Sequence, residues 1–116
     1  MSDFDVNAAK EFLRKREEKE EAFFEETRKS VLEKTIKVLR QEFQGSAVEV
    51  YLVGSIIQPF QFTDRSDIDI VLKNYQGDFL NIWSELQKKL DRTIQVIFFE
   101  TCHFQEYILK SGQKVL

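Results

Sequence analysis

Glu49-Val50-Tyr51-Leu52-Val53-Gly54-Ser55, followed after residues 56–65 by Ser66-Asp67-Ile68-Asp69-Ile70-Val71-Leu72, is the stretch that decides the fold. Val48 to Val53 is mostly apolar and rich in valine, the composition of a strand buried on both faces. Gly54 then lets the backbone turn sharply and approach another group closely. Ser55 supplies a hydroxyl, and the amides after it are predicted to open a short helical turn whose N-terminus favours anions. Asp67 to Leu72 predicts a second strand. Side chains alternate along a strand, so Asp67 and Asp69 are expected on one face, with Ile68, Ile70 and Leu72 divided between the core and the sheet interior. Two ionised carboxylates side by side repel unless a cation or ample water lies between them. Paired Asp oxygens plus a phosphate suit Mg²⁺, which keeps octahedral oxygen coordination. An Asp-x-Asp alone is more often the end of a surface strand. With a Gly-Ser turn facing it, the pair is equipment for a nucleoside triphosphate.

Gly54-Ser55 together with Ser66-Asp67-Ile68-Asp69 resembles the signature of the minimal nucleotidyltransferases, the small members of the DNA polymerase beta superfamily. Pro59-Phe60-Gln61-Phe62-Thr63 is similar to the loop that precedes Ser-Asp-x-Asp in that family, and Tyr107 to Leu116 is similar to its closing helix and Gly-containing tail. The resemblance covers residues 46–116. It implies an α+β fold, a nucleotidyltransferase-like mixed β-sheet flanked by helices. It implies Mg²⁺ and ATP or another nucleoside triphosphate as cofactors, Asp67 and Asp69 as metal ligands, and Gly54 and Ser55 around the triphosphate. The activity implied is transfer of a nucleotidyl group, AMP from ATP, to a hydroxyl on a protein or small molecule. A HEPN-type toxin is the implied protein partner, because such small proteins are often antitoxins.

The resemblance also places a third acidic residue on the next strand, where this chain has Gln95. Glutamine offers one neutral carbonyl oxygen and no base, so the metal that activates the acceptor hydroxyl is weakened and the proton acceptor is gone. Glu100 lies an odd number of residues away, so a regular strand points it to the other face. Asp91 has the right parity but sits in the preceding turn, about 13 Å away at strand rise. A second departure is Gln58, where relatives carry a basic residue; Arg65 and Lys73 are the alternative phosphate contacts. Nucleotide binding is therefore expected to survive better than transfer, and a catalytically degenerate antitoxin or binding module is the competing function.

Around this centre, 116 residues predict one compact unit with a long N-terminal helical segment, 1–44, ahead of the nucleotidyltransferase-like part, 45–116. Residues 7–43 contain no Gly and no Pro, with Asp3, Asp5 and Asn7 as capping choices. Arg14 to Glu21 reads as a solvated charged face held by pairs such as Arg16–Glu20 and Glu25–Lys29. The first half of this segment is expected to protrude, break or meet another chain; Phe4, Phe12, Phe23 and Phe24 then contribute to a partner or homo-oligomer interface, unless the helix folds back on its own domain. Further on, Asp78 caps an amphipathic helix over Phe79–Leu90 that carries Trp83 on its core side. A third strand follows over Thr93–Phe99, and a last helix over Thr101–Lys110 ends at Gly112. Net charge is −3 and neither half is basic, which excludes a broad footprint for long nucleic acid. No apolar run is long enough for a membrane span. The lone Cys102 forms no internal disulfide and fits a cytoplasmic protein; with adjacent His103 it lacks the partners of a zinc or triad site.

Overall fold

The structure, a computed structural model, describes residues 5–116. Asp3 and Phe4 lie outside the described residues. The order is α1 (Val6–Phe43), β1 (Glu49–Val53), a 3₁₀ turn (Gly54–Ile57), β2 (Ile68–Lys73), α2 (Phe79–Leu90), β3 (Ile94–Phe98), a second 3₁₀ turn (Phe99–Thr101), α3 (Gln105–Ser111) and β4 (Gln113–Lys114). This is the expected α+β architecture, a mixed sheet flanked by helices. No helix among the described residues is long and apolar enough to cross a membrane.

Asp5 is the cap of α1, accepting from the N–H groups of Asn7 and Ala8 at 3.0 and 3.2 Å. With no breaker inside it, the helix runs unbroken for 38 residues, about 57 Å at 1.5 Å per residue. Gly45, at φ +79°, then takes the chain out of the helix. Only the second half of α1 has a domain to pack on. The radius of gyration is 18.7 Å, against about 13 Å for a compact chain of this length. The excess is the protruding arm, Val6 to Phe23, where Phe12 and Phe23 are 66% and 67% exposed. Arg16 and Glu20 pair there at 3.4 Å, as the charge pattern predicts. The Glu25–Lys29 pairing does not form. Lys29 leans to Glu26, and Glu25 turns inward to Arg28, both side chains being buried.

The sheet has the order β3-β2-β1-β4, with β2 and β3 parallel and the other pairs antiparallel. β4 is not visible in the sequence: two residues carry no alternation, and pairing with Tyr51 and Leu52 alone makes them a strand. α1 and α2 cover one face. Leu39 and Phe43 from α1, and Ile82, Leu86 and Leu90 from α2, pack on Val50, Leu52, Ile68, Ile70, Leu72, Ile94 and Val96. Ile68, Ile70 and Leu72 therefore all join this one core instead of dividing between two, as period-two alternation requires. Trp83 packs at its margin, its indole N–H reaching the Ile94 carbonyl at 3.4 Å. The opposite face carries a smaller cluster of Tyr51, Val53, Val71, Phe99 and Ile108, closed by α3. α3 starts at Gln105, later than predicted. Residues 99–101 close a 3₁₀ turn first, and Cys102 is extended and accepts the Phe104 N–H at Sγ, 3.3 Å away.

Leu39 is fully buried where α1 meets the sheet. Leu39→Ala is expected to lose about 3 kcal/mol in chemical denaturation, whereas Phe12→Ala on the arm is expected to stay within about 0.5 kcal/mol of the parent.

Candidate functional site

The site lies where β1 ends, β2 begins and β3 runs alongside. Val53 stands opposite Asp69 across the antiparallel pair, and Asp69 stands opposite Gln95 across the parallel pair. Partners in register point to the same face of a pleated sheet, roughly 4.8 Å apart. Asp69 and Gln95 therefore sit side by side, one row beyond the apolar cluster under α3. Gln95 is exposed and Asp69 half-exposed. Asp67, exposed, precedes the strand by one residue and keeps the parity of Asp69.

Gly54 closes the near side. It sits at φ +80°, and a Cβ built there would collide with Asp69 Oδ2 and lie 3.4 Å from Asp69 Cγ. Both demands are met only by glycine. The carboxylate thus rests on bare backbone as the chain enters the turn of Gly54, Ser55 and Ile56. Ser55 is partly exposed and accepts the Gln58 N–H at its carbonyl, 3.1 Å away. The turn is only four residues long, so it develops little of the dipole of a full helix. An anion at this place would be held by individual N–H groups and the hydroxyl.

The loop between the turn and Asp67 is fixed at both ends by residues that the sequence reading passed over. At its start, Arg28 Nη1 donates to the Ile56 carbonyl at 3.0 Å, and the Phe60 N–H donates to Glu25 Oε2 at 2.7 Å. Arg28 also holds Glu25 directly at 2.6 Å. These bonds keep the Glu25 carboxyl ionised, with its pKa lowered to about 2, first by Arg28 and then by the Phe60 N–H. At the loop's end, the Arg92 guanidinium lies 4.4 Å over the buried Phe62 ring and donates to the Thr63 carbonyl at 2.8 Å. Thr63 and Ser66 close a tight turn through each other's N–H groups, at 2.9 and 3.2 Å, which delivers Asp67 to the mouth of the site. The sequence pairs Glu25 with Lys29 and gives Arg28 no role; burial is what distinguishes Glu25 and Arg28 from the exposed charges of α1.

The remaining candidates separate by position. Arg65 is exposed two residues before Asp67, and its guanidinium makes no ion pair among the described residues. Lys73 lies four residues beyond Asp69, about 13 Å along β2. It pairs with Glu49 at 3.6 Å and covers the Phe99 ring at 4.8 Å. Glu100 is at that same far end, accepting the Asn74 N–H at 2.6 Å. Asp91 is the left-handed cap of α2, bonded through its N–H to the Gln87 carbonyl. No cluster of three or more His, Cys, Asp or Glu forms among the described residues. The acidic content of the site is Asp67 and Asp69.

Those two carboxylates shape the electrostatics. Burial raises the Asp69 pKa above its ordinary value, and the charge of Asp67 raises it further. A hard cation relieves both effects. The donor set of two carboxylates and the Gln95 amide oxygen fits one such ion, whose other ligands would be phosphate or water oxygens. In comparisons with family models, curated proteins and solved structures, nothing matches this chain.

Two outcomes follow for the unliganded protein. With the folded pKa of Asp69 above the unfolded value near 3.8, the native state holds the proton longer, so this group's contribution falls as pH rises through that window. Asp69→Asn is expected to remove this slope and to add roughly 0.5 kcal/mol at neutral pH, a small figure because solvent screens a half-buried group. Gly54→Ala is expected to cost at least about 2 kcal/mol by strain and collision. Thermal melts from pH 3 to 8 check both.

Proposed function

We propose that this chain is a domain of the minimal-nucleotidyltransferase type. It binds a nucleoside triphosphate, ATP in the first instance, with Mg²⁺ between Asp67, Asp69 and the turn at Gly54-Ser55. What supports this above all is the row of Gly54 against Asp69 against Gln95. Asp69 packs on a glycine turn at the end of two central strands, Asp67 lies two residues before it, and Arg65, exposed, makes no ion pair among the described residues.

In the reaction proposed, an acceptor hydroxyl attacks the α-phosphorus and its oxygen forms the new P–O bond. The bond to the β-phosphate bridging oxygen breaks, and pyrophosphate leaves. When bound, Mg²⁺ supplies neutralisation of phosphate charge. The chain's own residues hold the triphosphate at the Gly54 turn and orient it against β2. Gln95 can donate or accept a hydrogen bond but takes no proton, so the hydroxyl proton passes to solvent and the transfer is slow. The acceptor is provided by a partner, and a HEPN-type protein is the one that the family resemblance suggests. A cytoplasmic location accompanies this reading.

A second reading is a binding module without transfer, acting through the arm of α1. Gln95 in register with Asp69 favours it, as do Phe12 and Phe23 exposed on the arm. Incubation with Mg²⁺ and α-labelled ATP separates the two. The expected results are saturable stabilisation in a thermal melt, about 2.7 kcal/mol at a hundredfold excess over Kd, and slow labelling of a hydroxyl acceptor. Gln95→Asp is expected to accelerate labelling by tenfold or more. Stabilisation without label from either variant leaves the binding module. No stabilisation by any nucleoside triphosphate ends the nucleotide reading. If deletion of residues 1–20 leaves a monomer of unchanged stability and partner affinity, the arm is not the docking surface.

A further inference from the structure

Arg28 and Glu25 are the two charged side chains that bury themselves on α1, at 7% and 6% exposure. Neither touches Asp67 or Asp69. Each reaches instead to the backbone of the segment between Gly54 and Phe60. The Ile56 carbonyl receives Arg28 Nη1 at 3.0 Å, and Glu25 Oε2 receives the Phe60 N–H at 2.7 Å. The two anchor points bracket Ile57, Gln58 and Pro59. Phe60 stands at φ +64° with its ring 65% exposed. The hydrogen bond from its N–H to Glu25 is the contact that holds this exposed residue in place.

We infer that Glu25 and Arg28 are positioning residues: they fix the Gly54–Phe60 segment against β2, and through it they set the affinity of the site for Mg²⁺–nucleotide. The inference rests on the proposed function for its ligand, but its geometry is independent of it. Val53 is the register partner of Asp69, and Gly54 packs on that carboxylate. Any drift of the segment after Gly54 would move the Ser55 hydroxyl and the N–H groups of the turn relative to Asp69. The ion pair holds the segment from the far side of the turn. It also ties the turn to α1 at the point where the helix leaves the domain and becomes the free arm, so the same side chains join the two unusual parts of this molecule.

The experiment uses the full chain. Removing one charge alone leaves the other buried and unpaired and risks unfolding. The principal variant is therefore Glu25→Met with Arg28→Met, which keeps helix propensity and apolar volume but deletes both backbone contacts. Arg28→Lys is the conservative partner, retaining a donor for the Ile56 carbonyl. Two quantities are read: Kd for Mg²⁺–ATP, and the amide hydrogen-exchange rates of residues 54–60. The double variant is expected to keep a cooperative melt, to raise Kd at least tenfold and to exchange the Phe60 amide at least tenfold faster, with Arg28→Lys recovering part of both. Wild-type Kd and wild-type exchange in the double variant overturn the inference. If the parent chain binds no Mg²⁺–ATP, the proposed function falls, and the exchange rates alone decide the positioning role: faster exchange upholds it and unchanged exchange overturns it. A double variant that loses its cooperative melt overturns it as well, since the pair then supports the fold at large and not this segment.

Discussion

The contact between Gly54 and Asp69 is the constraint around which the rest is arranged. A strand buried on both faces must leave the sheet somewhere, and here it leaves against a carboxylate on the adjacent strand. No side chain fits between them, and no residue other than glycine turns the backbone that way without strain. Everything downstream inherits that geometry. The turn brings Ile56 into the main core, the loop swings past α1, and the chain re-enters beside itself as β2 in antiparallel register. A polar pair is thereby set at the rim of an apolar face, half out of water, where its charges cost most and act most strongly.

Charge is used in two different ways in this small molecule. Along the arm it is dispersed into exposed pairs such as Arg14–Glu18 and Arg16–Glu20, worth little apiece in water. Their work is solubility for a helix with nothing to lean on. At Glu25 and Arg28 the same residue types are taken out of water, and every strong acceptor or donor position is answered by the partner or by the backbone of the loop. Burial of an ion pair is a poor way to gain stability. It is a good way to specify one arrangement of the loop between its two apolar anchors, Ile56 and Phe62.

The site itself is polarised. One end of the sheet face gathers Gly54, Asp67, Asp69 and Gln95; the other neutralises its charges internally through Lys73, Lys114 and Glu49. Asp67 and Asp69 make no ion pair among the described residues, and burial, then the charge of Asp67, raises the Asp69 pKa. The register that sets Gln95 beside Asp69 gives the site an amide where a third carboxylate would complete it. In the function proposed above, binding a cation and activating a nucleophile are therefore separable.

By itself the sequence determined the elements. Helical propensity over residues 7–43 followed from the absence of breakers, though not that the helix runs unbroken, and strand–turn–strand around Gly54 followed from apolar runs and one glycine. The amphipathic α2 followed from spacing. These are local properties, fixed by dihedral preference and periodicity. The tertiary structure decided the rest. The Glu25–Arg28 clamp, the Arg92–Phe62 stack and the two-residue β4 each depend on segments far apart in the chain, and nothing in their local sequence sets them apart from ordinary surface charge or tail. The choice of Arg28 over Lys29 as partner for Glu25 is of the same kind. Both neighbours are cations at helical spacing, and only the side of the helix that meets the loop excludes water and makes one pairing strong.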